Sequence, residues 1–137
     1  MNLERFEKAQ ELSYDTALGE IRVGRKSSHW VWYIFPQIKG LGHSYNARYY
    51  AIADLDEARA YVEHPVLNIR LREIASELLK HKDVEVEHLM GSVIDAMKLR
   101  SSMTLFDIVC SNDIYNNVLD MFFDGKRCNR TLKILGK

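Results

Sequence analysis

The chain has 137 residues, 47% hydrophobic and 28% charged, a balance that belongs to globular domains and excludes a disordered composition. Lys plus Arg and Asp plus Glu both total 19, so the formal net charge is zero and gives no electrostatic case for a nucleic-acid or membrane partner. This length fits one domain over residues 1–137, able to bury roughly two-thirds of its unfolded surface without disulfides.

The opening MNLERFEKAQ is charged throughout and has no apolar core of the signal-peptide kind. No apolar run approaches the ~18 residues of a membrane span. The cytoplasm is therefore the expected location. Leu3, Phe6, Ala9 and Gln10 fit a short first helix. Ser13 is placed to cap a second, with Ala17, Leu18 and Ile21 inside and Gly24 at its stop. The stretch HWVWYIF, residues 29–35, is apolar on both faces, so periodicity alone does not separate a buried helix from a buried strand. A helix is favoured, because no partner strand is visible, and Pro36 ends either element.

Ser44 is expected to cap a helix carrying Tyr45, Tyr49 and Ile52, and Asp56 another running through Tyr61 and Val62. His64-Pro65 is a good helix start, since proline at the first helical position loses only an amide that had no partner. Behind it Leu67, Leu71, Ile74 and Leu78 recur at helical spacing. Ser92 opens a long helix to about Val109. Ser111 opens another with Ile114, Val118, Leu119 and Phe122, followed by Gly125. Asn129 caps a last helix with Leu132 and Leu135. Strand-like alternation is scarce. The expected fold is all-α, a compact orthogonal helical array with room for a small two-stranded element near residues 30–40.

On the 92–109 helix, Ile94, Met97, Leu105 and Ile108 share one face, with Lys98 and Ser101 in its middle. Leu99, Met103 and Phe106 cover much of the opposite side. That distribution predicts a largely buried central helix with only Arg100 and Asp107 looking outward. A lysine and a serine within an apolar stripe have two readings. Lys98 snorkels to solvent and Ser101 bonds back to a helix carbonyl, or both line a cleft. The aromatic stretch poses the same choice between core and pocket wall. It is followed by Gln37, Lys39, Gly40, Gly42 and His43, and glycines let backbone approach a ligand closely. His29 beside Trp30 is either a polar handle or an ordinary capping histidine.

The common catalytic motifs are absent, as are a nucleotide loop and any cofactor motif. The five histidines show no metal-ligand spacing, and the carboxylates are dispersed. Cys110 and Cys128 form no Cys-x-x-Cys pair and read as small hydrophobic thiols in a reducing compartment rather than a disulfide.

Four segments in order carry a family pattern: FxxAQ (Phe6 to Gln10), GRKxSHWxWxIFPQxxGLGxS (Gly24 to Ser44), RYYAIxxLDEARAYxxHPVL (Arg48 to Leu67) and KLRSSMTLF (Lys98 to Phe106). The chain resembles the bacterial family called domain of unknown function 1810 over nearly its whole length. FFDGKRCNRTLKIL resembles that family's ending, with Cys128 where members often carry an acidic residue. The resemblance implies a small, mostly helical, single-domain protein of unestablished activity. A more distant resemblance, in helix layout only, is to the NADAR superfamily of N-glycosidase-like and ADP-ribose-processing proteins. It transfers no catalytic residue.

The family pattern couples the aromatic stretch to the late helix, and so implies a ligand pocket shared by His29, Trp30, Trp32, Pro36, Gln37, Gly40, Gly42, Lys98, Arg100 and Ser101. Its partner would be a nucleotide-like small molecule, with an aromatic ring stacked on the walls and phosphate at Lys98, Arg100 and the glycine turn. Two function classes follow. One is an N-glycosidase-like protein acting on nucleotide or ADP-ribose derivatives. The other is a non-catalytic binding module for a ligand or protein, using the aromatic surface around Trp30 and Trp32.

Overall fold

The computed structural model describes residues 2–137. Among them run α1 (Glu4–Val23), α2 (Val31–Ile34), α3 (Tyr45–Tyr49), α4 (Leu55–Glu63), α5 (Pro65–Leu79), α6 (Val86–Leu89), α7 (Val93–Val109), α8 (Ile114–Phe123) and α9 (Asn129–Ile134). No sheet forms among the described residues, and the architecture is all-α. The two-stranded element allowed near residues 30–40 reduces to one isolated parallel bridge between Ile38 and Ile52. Around it the Lys39 amide donates to the Ile52 carbonyl and the Ile52 amide to the Gln37 carbonyl, each at 2.8 Å.

The first twenty helical residues are continuous, not divided at Ser13. Phe6, Gln10, Tyr14, Ala17 and Ile21 form one unbroken inner stripe, and its burial outweighs the capping preference of an interior serine. α1 stops at Gly24, whose φ of 94° is left-handed. The Gly24 and Arg25 amides there donate to the Ile21 and Glu20 carbonyls, closing a Schellman motif.

Other helix starts depart from expectation by one or two residues. α4 is capped by Asp54, whose carboxylate accepts from the Glu57 amide at 2.9 Å, while Asp56 lies inside the first turn. α8 is capped by Asp113 rather than Ser111, because Arg72 on α5 holds that carboxylate at 2.9 Å beside the Ile114 amide. α9 begins at Asn129, with Cys128 in the cap position. Ile52 lies beyond α3, since both its backbone groups are taken by the bridge. Ser44, Pro65 and Ser92 stand where the sequence places them.

α7 is the central element and packs against α2, α4, α6, α8 and α9. From Leu99 to Phe106 every residue except Arg100 is buried. Its first turns bury only Ala96. Ile94 is 66% and Met97 60% exposed, so the apolar stripe that includes them reaches the core only from Ser101 onward. The Arg100–Asp107 strip is half-buried, because Arg127 covers Asp107 with two hydrogen bonds of 2.9 and 3.2 Å.

Between α1 and α2 the chain is held by polar contacts. One Glu20 carboxylate oxygen accepts from the Ser27 amide (2.7 Å), the Ser28 amide (2.9 Å) and the Trp30 indole (2.9 Å), and the other from the Ser28 hydroxyl. Burial pushes the Glu20 carboxyl up, but these hydrogen bonds outweigh it and bring the group down from 4.5 to about 2. Beside them Lys26 is buried. Its ammonium sits 2.7 Å from Asp95 on α7 and over the Trp30 ring at 5.0 Å, and its amide donates to the Leu89 carbonyl.

Glu20→Gln replaces a four-bond acceptor with an amide whose N–H groups face other donors. The urea midpoint should fall by the equivalent of about 2 kcal/mol. Because the folded carboxyl is depressed, its stabilisation is complete above the ordinary value of 4.5 and is lost as pH falls toward about 2. The variant should therefore lose less stability than wild type across that acid window; equal loss would contradict the assignment.

Candidate functional site

The Ile38–Ile52 bridge holds residues 37–42 opposite the first turns of α7, and α9 closes the third side. Between them lies a cleft of about 210 Å³. Gln37, Leu41 and Gly42 line it from the loop, Ile94, Met97, Lys98 and Ser101 from α7, and Cys128 and Arg130 from the start of α9. A more open hollow of about 600 Å³, bounded by Val84–Glu87, Val93, Met121 and Phe122, holds no cationic or nucleophilic side chain. Of these two, the smaller cleft combines apolar walls with converging polar groups, the pattern of a ligand site.

The loop wall is set by close packing. A Cβ at Gly42 would lie 2.5 Å from the Ala47 Cβ, so α3 can seat against the loop only if residue 42 has no side chain. Ser44 keeps α3 there by accepting from the Ala47 amide at 3.1 Å. Gly40, at φ 107°, makes the turn before it.

On α7 the Lys98 ammonium rests 5.0 Å from the Trp32 ring centre and 3.8 Å from Asp95. Asp95 also holds Lys26 at 2.7 Å, so one carboxylate serves two ammonium groups. Arg130 is exposed and makes no ion pair among the described residues. The cleft mouth therefore carries surplus positive charge.

Cys128 is fixed from both sides. Its amide donates to the Thr104 hydroxyl at 2.9 Å, and that hydroxyl donates to the Arg100 carbonyl. Just before it Arg127 is anchored to Asp107, to Asn116 at 2.7 Å and to the Gly125 carbonyl at 2.9 Å. Its sulfur lies 3.3 Å from the Ser101 hydroxyl, which also has the Met97 carbonyl as an acceptor at 3.0 Å. Burial raises the Cys128 thiol, but the Ser101 hydroxyl, the neighbouring Thr131 hydroxyl and the first-turn amides of α9 outweigh it, and the thiol is lowered. Cys110 is raised, by burial and by the nearby Asp113 carboxylate.

Of the residues picked out in the sequence, Gln37, Gly42, Lys98 and Ser101 meet at this cleft, and Trp32 supports it from beneath Lys98. The Trp32 indole nitrogen is buried without a hydrogen-bond partner. Trp30 is 1% exposed and belongs to the core, and Pro36 is buried. His29 and Gly40 are exposed and Arg100 half-buried, all three outside the cleft lining. The sequence pattern does not mark Cys128 or Arg130 as site residues; the one signal for the first is a thiol where the resembling family often has an acid. Among the described residues no three His, Cys, Asp or Glu side chains gather as metal ligands, and no helix is long and apolar enough to cross a membrane.

An all-helical chain with a small cationic cleft beside its central helix is thus the class of protein defined by fold and site. The chain belongs to the family described as "Protein of unknown function (DUF1810)", which matches residues 1–135. The crystal structure of the conserved hypothetical protein Rv1873 from Mycobacterium tuberculosis has the same fold, with a TM-score of 0.94 at 38% identity, covering 98% of this chain and 96% of that one. No curated protein matches the chain. None of these comparisons carries a resemblance to the NADAR superfamily.

The packing at Gly42 is testable against a second glycine. Gly42→Ala should lower stability by about 1–3 kcal/mol through overpacking against Ala47. Gly19→Ala, in the middle of α1 with nothing near its Cβ, should raise stability by roughly 0.5–1 kcal/mol. Denaturant midpoints of the two variants should move in opposite directions.

Proposed function

We propose that the cleft binds a small organic anion, with its carboxylate or phosphate at Lys98 and Arg130 and its apolar part against Leu41, Ile94 and Met97. The observation that carries this reading is the pairing of charges. Asp95 is the carboxylate nearest Lys98 and is already shared with Lys26, while Arg130 has none. An incoming anion would accept charge-assisted hydrogen bonds from both cations. Gln37 adds a neutral donor that orients it.

The volume bears on ligand size. About 210 Å³ is below the roughly 300–1,000 Å³ of pockets that enclose drug-sized molecules. A nucleotide-derived ligand would therefore enter as a fragment, such as a pentose phosphate or the phosphate end of a nucleoside monophosphate, rather than as whole ADP-ribose. The N-glycosidase reading is less well supported, because no carboxylate lines the cleft to protonate a leaving base or steady an oxocarbenium-like centre. The aromatic-surface reading is also weakened, since the Trp30 side chain is inside the core.

A thermal-shift screen of inorganic phosphate, pentose phosphates, nucleoside monophosphates, ADP-ribose and aromatic carboxylates tests the proposal. A ligand at ~100 times its Kd should stabilise the protein by about 2.7 kcal/mol. Lys98→Met with Arg130→Gln should weaken its affinity by the equivalent of roughly 1.5–3 kcal/mol, yet change stability by under about 1 kcal/mol. A silent panel, or a binder whose affinity ignores both substitutions, would overturn the assignment.

A further inference from the structure

Nothing in simple anion binding accounts for the thiol in the cleft wall. Cys128 is half-buried, lines the cavity, and is held to α7 through the Thr104 hydroxyl. Two further hydroxyls converge on its sulfur. Ser101 is 6% exposed and lies 3.3 Å away. Its single proton serves either the Met97 carbonyl or the sulfur, and a negative sulfur would draw it over. Thr131 is fully buried, and its hydroxyl approaches the sulfur without closing a full hydrogen bond to any group. A buried hydroxyl with no acceptor carries a penalty that a thiolate beside it would remove. Lys98 and Arg130 line the same cavity and favour negative charge within it.

We infer that Cys128 is a nucleophilic thiol that forms mixed disulfides with small anionic disulfides entering this cleft. Its preference for an anionic partner rests on the anion-binding reading above; its nucleophilicity does not. The step is thiol–disulfide exchange. Cys128 gives its proton to solvent, and the Ser101 and Thr131 hydroxyls turn to the thiolate. The Sγ attacks one sulfur of the incoming disulfide, an Sγ–S bond forms and the original S–S bond breaks. The departing thiolate takes the electron pair and gains a proton from water. Cys128 is oxidised to the mixed disulfide and the small molecule is reduced by one thiol equivalent, so no other oxidant is needed.

Cys110 is the internal control: it is equally half-buried, lies at the end of α7 beside Asp113, and is pushed the other way by burial and that carboxylate. The folded full chain is treated with iodoacetamide, glutathione disulfide or neutral hydroxyethyl disulfide, and each cysteine is followed by peptide mass mapping. All three reagents should modify Cys128 at least about tenfold faster than Cys110 near neutral pH. Ser101→Ala and, independently, Thr131→Val should move the pH midpoint of Cys128 alkylation upward and leave Cys110 unchanged, a result that loss of packing alone would not give. Equal rates at the two cysteines, or Cys128 reacting only in denaturing urea, would overturn the inference. In the Lys98→Met, Arg130→Gln variant, the glutathione-disulfide rate should fall severalfold against the neutral disulfide. An unchanged ratio with Cys128 still selective would overturn the anionic preference, and the failure would lie in the charge reading of the cleft, not in the thiol.

Discussion

Glu20, on the last turn of α1, collects the Ser27 and Ser28 amides, the Ser28 hydroxyl and the Trp30 indole on one carboxylate. The segment it gathers runs into residues 30–36, which are apolar on both faces and too short to specify their own direction. A helix of four residues has almost no intrinsic stability, because nucleation is not repaid over a single turn. α2 therefore exists because its entry is pinned to α1 and its Val31 and Ile34 side chains are buried. The left-handed Gly24 turns the chain back at the right place for that carboxylate to reach it.

From this anchor the site follows by contact. With Trp30 fixed, Lys26 lies across its ring and extends to Asp95 on α7. Asp95 also faces Lys98, and Lys98 rests on Trp32, two residues beyond Trp30. The charges alternate along this chain, from Glu20 through the loop to Lys26, Asp95 and Lys98. Each buried or half-buried ion has a partner, the condition under which charge can be tolerated away from water. The last ammonium in the series is the one presented to the cleft. The two tryptophans thus have separate roles. One is structural and donates its indole hydrogen bond to Glu20 on α1; the other is a platform under a cation.

The other wall depends on equally indirect positioning. Arg127 is tied to Asp107, Asn116 and Gly125, and this sets where α9 starts and hence where Cys128 and Arg130 stand. Those contacts join residues up to 20 positions apart in the chain, and none follows a local motif.

Local chemistry explains what could be read without coordinates. The all-α class, the stop at Gly24, the starts at Ser44, Pro65 and Ser92, and the inner face of α5 follow from capping and from 3.6-residue periodicity, which act within a few residues. Where several capping side chains stand close together, as at Asp54 and Asp56 or Ser111 and Asp113, local chemistry is degenerate. Distant partners such as Arg72 make the selection. The approach of residues 37–42 to residues 98–101 was legible only as a shared pattern. The exposure of Ile94 and Met97, the burial of Trp30 and the arrival of Cys128 beside Ser101 were decided by tertiary packing. Each depends on which helix covers which face, and a single helix's periodicity defines a face without saying what will cover it.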